Sequence, residues 1–225
     1  QALADEQKDS QRAWEGSGAV MAPMLGNHDV GRFVSDVRGD ALWSPRTNPP
    51  AQPEEDKPYD LLRLGFTFLL SQPGAPVIYY GDELGLAGAT DPDNRRDMPE
   101  FAGLAANRLA VLSHVRKLGQ ARRCSWALRR GGTETLLVNE NLLVSLRDAN
   151  DGLPAIMVLN RAAVERDVNV ELPADLTLSA EANFVDLFGA EVQFDAPSRM
   201  MSLRVGPRAS ALILAEGRCA SVGEE

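Results

Sequence analysis

The chain has 225 residues, enough for one large domain or two ordinary ones, and 44% of them are hydrophobic, which supports a sizeable buried core. A net charge of −9 and a pI near 4.8 argue against nucleic acid or an anionic membrane surface as partner, since both favour an excess of Lys and Arg. No apolar run is long enough to span a membrane, and the only two cysteines, Cys124 and Cys219, lack the C-x-x-C spacing of a zinc or redox site. Residues 1–18, QALADEQKDSQRAWEGSG, are polar, show no signal-peptide pattern and do not open on Met, so the chain is expected to begin inside a longer protein. Residues 19–25, AVMAPML, form an apolar run that stops abruptly at Asn27-His28-Asp29. Such continuous apolarity predicts a parallel strand buried on both faces. A long loop rich in Pro and acid covers 39–58, and Pro58 suits the first turn of a helix through YDLLRLGFTFLLSQ. PGAP at 73–76 breaks that helix. APVIYYGDELG then repeats the pattern of an apolar strand with polar residues at its C-terminal end. After a second loop, AGATDPDNRRDMPE, the spacing of Phe101, Leu104, Leu109, Leu112, Val115 and Leu118 predicts a helix over 101–119, capped by Gly119. The order is βαβα, with polar residues at strand C-termini, where α/β folds place their active sites.

The pattern changes near residue 124. Period-2 segments follow one another: ETLLV, NLLVSLR, AIMVLN, RDVNVEL, NFVDLF, EVQF, RMMSLRV and SALILA. In RMMSLRV, Met201, Leu203 and Val205 fall on one face, with Ser202 and Arg204 on the other. Turn residues separate the segments, as at Asn150-Asp151-Gly152 and Gly206-Pro207. Many short strands at this spacing predict an antiparallel sandwich that closes its own core and folds by itself. Cys124 enters this unit and Cys219 lies just past its last strand. The ends of a compact domain are often close, so the two are expected to be bridged in a secreted protein and free in a cytosolic one.

Two chemistries compete for LGNHDVGRF, residues 25–33. Read as G-N-H-D it is a metal-binding corner of a dinuclear phosphoesterase; read as an apolar run ending in N-H-D it is a sugar-binding strand end. The metal reading needs several His and Asp ligands along the chain, and there are two histidines in all. His114, the second, falls mid-helix and is expected to be structural.

MLGNHDVGRF, GAPVIYYGDELGLAG and DPDNRRDM, in that order and spacing, resemble the α-amylase family of retaining glycoside hydrolases, the last motif being most similar to the neopullulanase, cyclomaltodextrinase and maltogenic amylase branch. N-H-D alone is a weak signal, but the three motifs together are strong. The resemblance covers 19–119 well and reaches more loosely into the sandwich. It implies a fold that is α/β plus all-β: the last two βα units of a (β/α)8 TIM barrel, residues 1–122, followed by an antiparallel β-sandwich C-terminal domain, residues 123–225. A whole barrel takes about 250 residues, so six strands and two of three catalytic carboxylates would lie outside this chain. In such an enzyme Asp29 would be the third carboxylate, a catalytic residue that binds the hydroxyls of the sugar being cleaved, and His28 would donate to the same hydroxyls. Asn27 would brace the turn. Asp91 and Arg95 would hold a glucose unit further toward the non-reducing end, or else form an internal salt bridge that shapes the loop. Asp82, Glu83 and Arg96 would be structural. Tyr79, Tyr80 and Trp43 could each stack on sugar or simply pack, and the two readings stay open.

The implied substrate is an α-glucan or malto-oligosaccharide, and the implied partner is the N-terminal remainder of the same enzyme, with no nucleic acid and no membrane. No cofactor is expected in this chain. The family's calcium ligands lie mostly upstream, which leaves calcium as a possibility for the complete enzyme only. Two other functions compete with the enzyme. One is an inactive amylase-like protein that binds a carbohydrate or a partner, although such relatives usually lose N-H-D. The other is a free-standing β-sandwich carbohydrate-binding module, against which the two βα units argue.

Overall fold

The computed structural model of the chain describes residues 2–14, 16–179 and 183–215. Among them are five α-helices, α1 (Ala2–Trp14), α2 (Phe33–Arg38), α3 (Lys57–Ser71), α4 (Ala106–Cys124) and α5 (Trp126–Arg130). Eight strands follow: β1 (Gly132–Val138), β2 (Leu142–Asp148), β3 (Ala155–Asn160), β4 (Arg166–Glu171), β5 (Phe184–Asp186), β6 (Val192–Asp195), β7 (Met200–Val205) and β8 (Ala209–Ala215).

The polar N-terminal stretch is helical because its inner stripe is built from amides. Ala4 and Gln7 are buried, Gln7 Nε2 donates to Gln72 Oε1 at 3.1 Å, and Gln11 Oε1 accepts the Thr133 N–H at 3.3 Å. α3 starts as expected, with Pro58 in its first turn, and it is buried nearly all round: Tyr59, Leu62, Leu64, Phe66, Leu69 and Leu70 all lie in the core.

Two expectations in this half are corrected. Residues 19–25 and 75–80 are not regular strands and are not buried on both faces. They run side by side in parallel, held by Ala75 N–H to Met21 O (2.7 Å) and Val77 N–H to Pro23 O (2.8 Å), with one bridge pair, Met24 and Val77. Pro23 and Pro76 each withdraw a ladder donor, and a lone two-stranded pair is only marginally stable. Met24 is 45% and Val77 43% exposed, with Val20, Met21 and Ile78 also open to solvent. The helix expected over 101–119 begins instead at Ala106, after a turn at Gly103 (φ +87), and runs through Gly119 to Cys124. Its buried stripe is Val111, Val115, Leu118, Ala121 and Arg122 rather than the one that included Phe101 and Leu109. Arg122 anchors the extra turn by donating to Leu70 O, Gln72 O, Gly74 O and Leu128 O at 2.6–2.9 Å, so it closes the C-terminal ends of α3 and α5.

The strands fall where the alternation places them. They form a five-stranded sheet, β1-β2-β3-β8-β5, over a three-stranded sheet, β4-β7-β6, with antiparallel pairing throughout. Met201, Leu203 and Val205 of β7 point inward as expected. Their cluster includes Val144, Ile156, Val158, Val168 and Ile213. The larger sheet, however, is buried on its other face too. Leu143, Ala155, Met157, Leu159, Leu212 and Leu214 join one core with Leu69, Leu70, Val111, Val115 and Leu118 of α3 and α4. The layers are therefore helix, sheet, sheet, and the boundary expected at 122/123 falls inside α4. Cys219, the expected partner of Cys124, lies outside the described residues.

The sandwich therefore closes the core between its two sheets with its own residues, as expected, but the outer face of its larger sheet depends on the helices. Cutting it out as residues 124–215 bares those six side chains. At roughly 1.5–3 kcal/mol for each large one, the loss is of the order of a domain's whole stability. The excised unit is expected to lack the sharp urea transition of the full chain, followed by circular dichroism. A cooperative transition with a midpoint equal to that of the full chain would refute this.

Candidate active site

The polar triad sits on a short turn where the 19–25 segment ends. Leu25 packs against the core beside α3, and a Cβ on Gly26 would lie 3.2 Å from Asp82 Oδ2, so the backbone passes close over that carboxylate. Asn27 braces the turn: its Oδ1 accepts the Asp29 N–H at 2.8 Å. The side chains of His28 and Asp29 are left 65% and 71% exposed, with Nε2 and Oδ1 3.4 Å apart. Gly31 does not serve a turn with positive φ. A Cβ there would meet the Leu42 side chain at 2.9 Å, and close packing is the reason for the glycine.

The 88–97 loop lies against this turn. Asp91 Oδ1 and Arg95 Nε are 3.0 Å apart, both half-exposed, and Arg95 Nη2 reaches His28 O at 3.4 Å. The internal salt bridge therefore forms, but an exposed pair of this kind contributes little and leaves both groups open to a ligand. Asn94 is fully buried between the two segments, and its Nδ2 donates to His28 O (2.9 Å) and Val30 O (2.8 Å). Arg96 grips Asp93 with two nitrogens and donates to Pro50 O, which makes it structural, as expected. Burial alone would raise the Asp93 carboxyl, but Arg96 and the Ala89 N–H outweigh it and hold the group below its usual range. Thr90 fixes the preceding loop through its N–H and Oγ1, both donated to Leu42 O.

Beneath the turn lies a buried ion pair. Arg32, 1% exposed, donates to Asn94 O at 2.8 Å, to Tyr80 O at 2.5 Å and to Asp82 Oδ1 at 3.0 Å. Its guanidinium lies 4.2 Å from the Tyr79 ring centroid and 4.8 Å from that of Tyr80. Burial pushes the Asp82 carboxyl up to about 6, against the pull of Arg32. Tyr80 is committed to the loop, its OH donating to Arg96 O at 2.9 Å.

No protein-family profile matches the chain. Among curated proteins it is 28% identical over 160 residues to the cyclomaltodextrin glucanotransferase of Niallia circulans, covering 69% of this chain and 20% of that protein. It is 30% identical over 152 residues to neopullulanase 2 of Thermoactinomyces vulgaris, covering 67% and 22%. The solved structure of the α-amylase from Geobacillus thermoleovorans complexed with acarbose overlays 96% of this chain on 43% of its own, at a TM-score of 0.72 and 22% identity, a likeness of fold. Over about two thirds of its length the chain is similar to enzymes of the α-amylase family, at 69% and 67% of the chain. It spans about a fifth of the length of the curated relatives it matches, at 20% and 22%.

The chain brings four expected site residues onto one rim: His28, Asp29, Asp91 and Arg95. Trp43 stands 87% exposed on the neighbouring loop. His114 lies apart. Its Nε2 is 2.8 Å from Thr67 Oγ1, its ring stacks on Phe188 at 4.2 Å, and burial, helped by Arg63, lowers it to about 3, so it is neutral and structural. A cavity of about 320 Å³ opens between α1 and the Arg129–Thr133 stretch, but its lining holds no carboxylate or imidazole and it offers no acid–base chemistry. Among the described residues no three His, Cys, Asp or Glu side chains converge on one point. Nor is any described helix long and apolar enough to cross a membrane. Two residues at the heart of the site escape a reading of the sequence: Arg32 looks like an ordinary loop cation, and Asn94 is one polar residue among charged ones.

Proposed function

We propose that this chain supplies part of the sugar-binding rim of a (β/α)8-barrel glycosidase that cleaves α-1,4 or α-1,6 glucosidic bonds of starch-like or malto-oligosaccharide substrates with retention. Asp29 accepts hydrogen bonds from hydroxyls of the sugar at the cleavage point. These bonds shorten as the ring flattens toward an oxocarbenium ion, so they favour the transition state over the ground state. His28 donates to the same hydroxyls, and Asp91 with Arg95 holds a glucose unit further toward the non-reducing end. The nucleophile and the acid/base, about 5 Å apart in a retaining enzyme, come from residues outside this chain. The observation that carries the reading is the contact of Asn94 and Arg95 with His28 O, which sets two exposed, sugar-competent groups side by side.

The exposed apolar residues of the 19–25 and 75–80 segments fit the same reading, since further parallel strands would cover both faces and pair the open edges. Purified residues 1–225 alone are expected to show no glycosidase activity and to associate through this half. Adding the portion of the enzyme that carries the nucleophile and acid is expected to restore maltodextrin cleavage. Starch hydrolysis by the chain alone would overturn the proposal.

A further inference from the structure

We infer that Asn94 is a positioning residue for Asp29, an inference that rests on the role proposed for Asp29. The turn that presents Asp29 is short and solvent-facing, and its own bracing is slight: the Asp29 N–H donates to Asn27 Oδ1, and Asn27 Nδ2 makes a long contact with Met24 Sδ at 3.7 Å. What fixes its place is external. Asn94 lends both protons of its side-chain amide to backbone carbonyls on either side of Asp29, those of His28 and Val30, at 2.9 and 2.8 Å. With two carbonyls facing the nitrogen, the amide has one orientation only. The clasp is itself clamped: Arg32 Nε donates to the Asn94 backbone carbonyl at 2.8 Å, and Arg32 is locked to Asp82.

The amide oxygen of Asn94 finds no hydrogen-bond partner among the described residues and is buried. A buried acceptor left without a donor destabilises the fold. An apolar residue could fill the same space without that cost, but it would release the two carbonyls. Keeping a donor there makes sense where the position of the turn matters more than stability, and a misplacement of about 1 Å at a reacting centre can cost about 10²-fold in rate.

The test is a double-mutant cycle in the full-length enzyme. Asn94→Ala is expected to lower kcat on maltodextrin by about 10- to 100-fold with KM nearly unchanged. In an Asp29→Asn background the same change should have no further effect, because a residue that acts through Asp29 has nothing left to position. Asn94→Asp keeps the side-chain shape and serves if the alanine variant fails to fold. Its carboxylate faces two carbonyls, so its kcat deficit should shrink on acidification, when the protonated group can donate again. Effects of Asn94→Ala and Asp29→Asn that multiply, or a rise in KM at constant kcat, would overturn the positioning role and leave the Asp29 reading standing. An Asp29→Asn enzyme with wild-type kcat would remove both.

Discussion

Asp29→Asn in the full-length enzyme is expected to lower kcat on maltodextrin by about 10³-fold or more, some 4 kcal/mol of transition-state stabilisation, while KM changes little. The side chain is open to a ligand: it is 71% exposed, with His28 Nε2 3.4 Å away. Its charge is therefore not consumed by the fold, and the substitution should leave thermal stability close to wild type. An amide of the same shape keeps one acceptor but loses the negative charge that a developing oxocarbenium ion favours. Ground-state hydroxyls feel that loss weakly, whereas the transition state feels it in full. Steady-state kinetics on maltodextrin decides, and equal kcat for the two proteins would end the assignment.

Arg32→Met should do the reverse, acting first on stability. Removing one partner of a buried pair costs about 3–5 kcal/mol because the other charge stays behind. Here the residue left is Asp82, 4% exposed and already pushed up to about 6 by burial. Without Arg32 its folded-state pKa rises further above the unfolded value of 3.8. A carboxyl raised on folding contributes stability that is fully present at low pH and lost as pH rises through its folded value. The deficit of Arg32→Met, read as a drop in Tm, is therefore expected to be larger at pH 8 than at pH 5. Adding Asp82→Asn should recover part of it at pH 8. A deficit that does not vary with pH would show that the lost bonds to Asn94 O and Tyr80 O, not the orphaned carboxyl, dominate.

The strands of the second half were legible because antiparallel strands with one solvent face alternate in type: β4, for instance, buries Val168 and Val170 and exposes Asp167 and Asn169. The same logic found β3 but missed its second covered face. Its run AIMVLN is buried at every position, the mark of a strand covered on both sides, and the covering helices belong to the other half of the chain. Conversely, AVMAPML has that mark but lacks the cover among the described residues. The last turn of α4 was not legible because Arg122 reads as a surface cation, while in the fold its guanidinium is surrounded by four carbonyls. The exposed site residues were readable, since His28, Asp29, Asp91 and Arg95 carry the motifs. Their support was not. Whether an Asn in a charged loop faces solvent or backbone depends on which carbonyls the fold brings to it, and His28 and Val30 are more than sixty positions away from Asn94, at separations of 66 and 64.

A sheet whose two faces both belong to cores also constrains how such a chain can be inherited. A module tethered by a linker can be exchanged between proteins with little regard for what it leaves. The β1–β8 unit cannot, because Met157, Leu159 and Leu212 need a matched helical surface on which Leu69 and Leu118 already sit. Any recombination that retains the unit must carry α3 to α5 with it, or rebuild that surface residue by residue. Neutral drift in the two halves is then coupled: an enlarging substitution on the sheet-facing side of α3 has to be answered in β3 or β8.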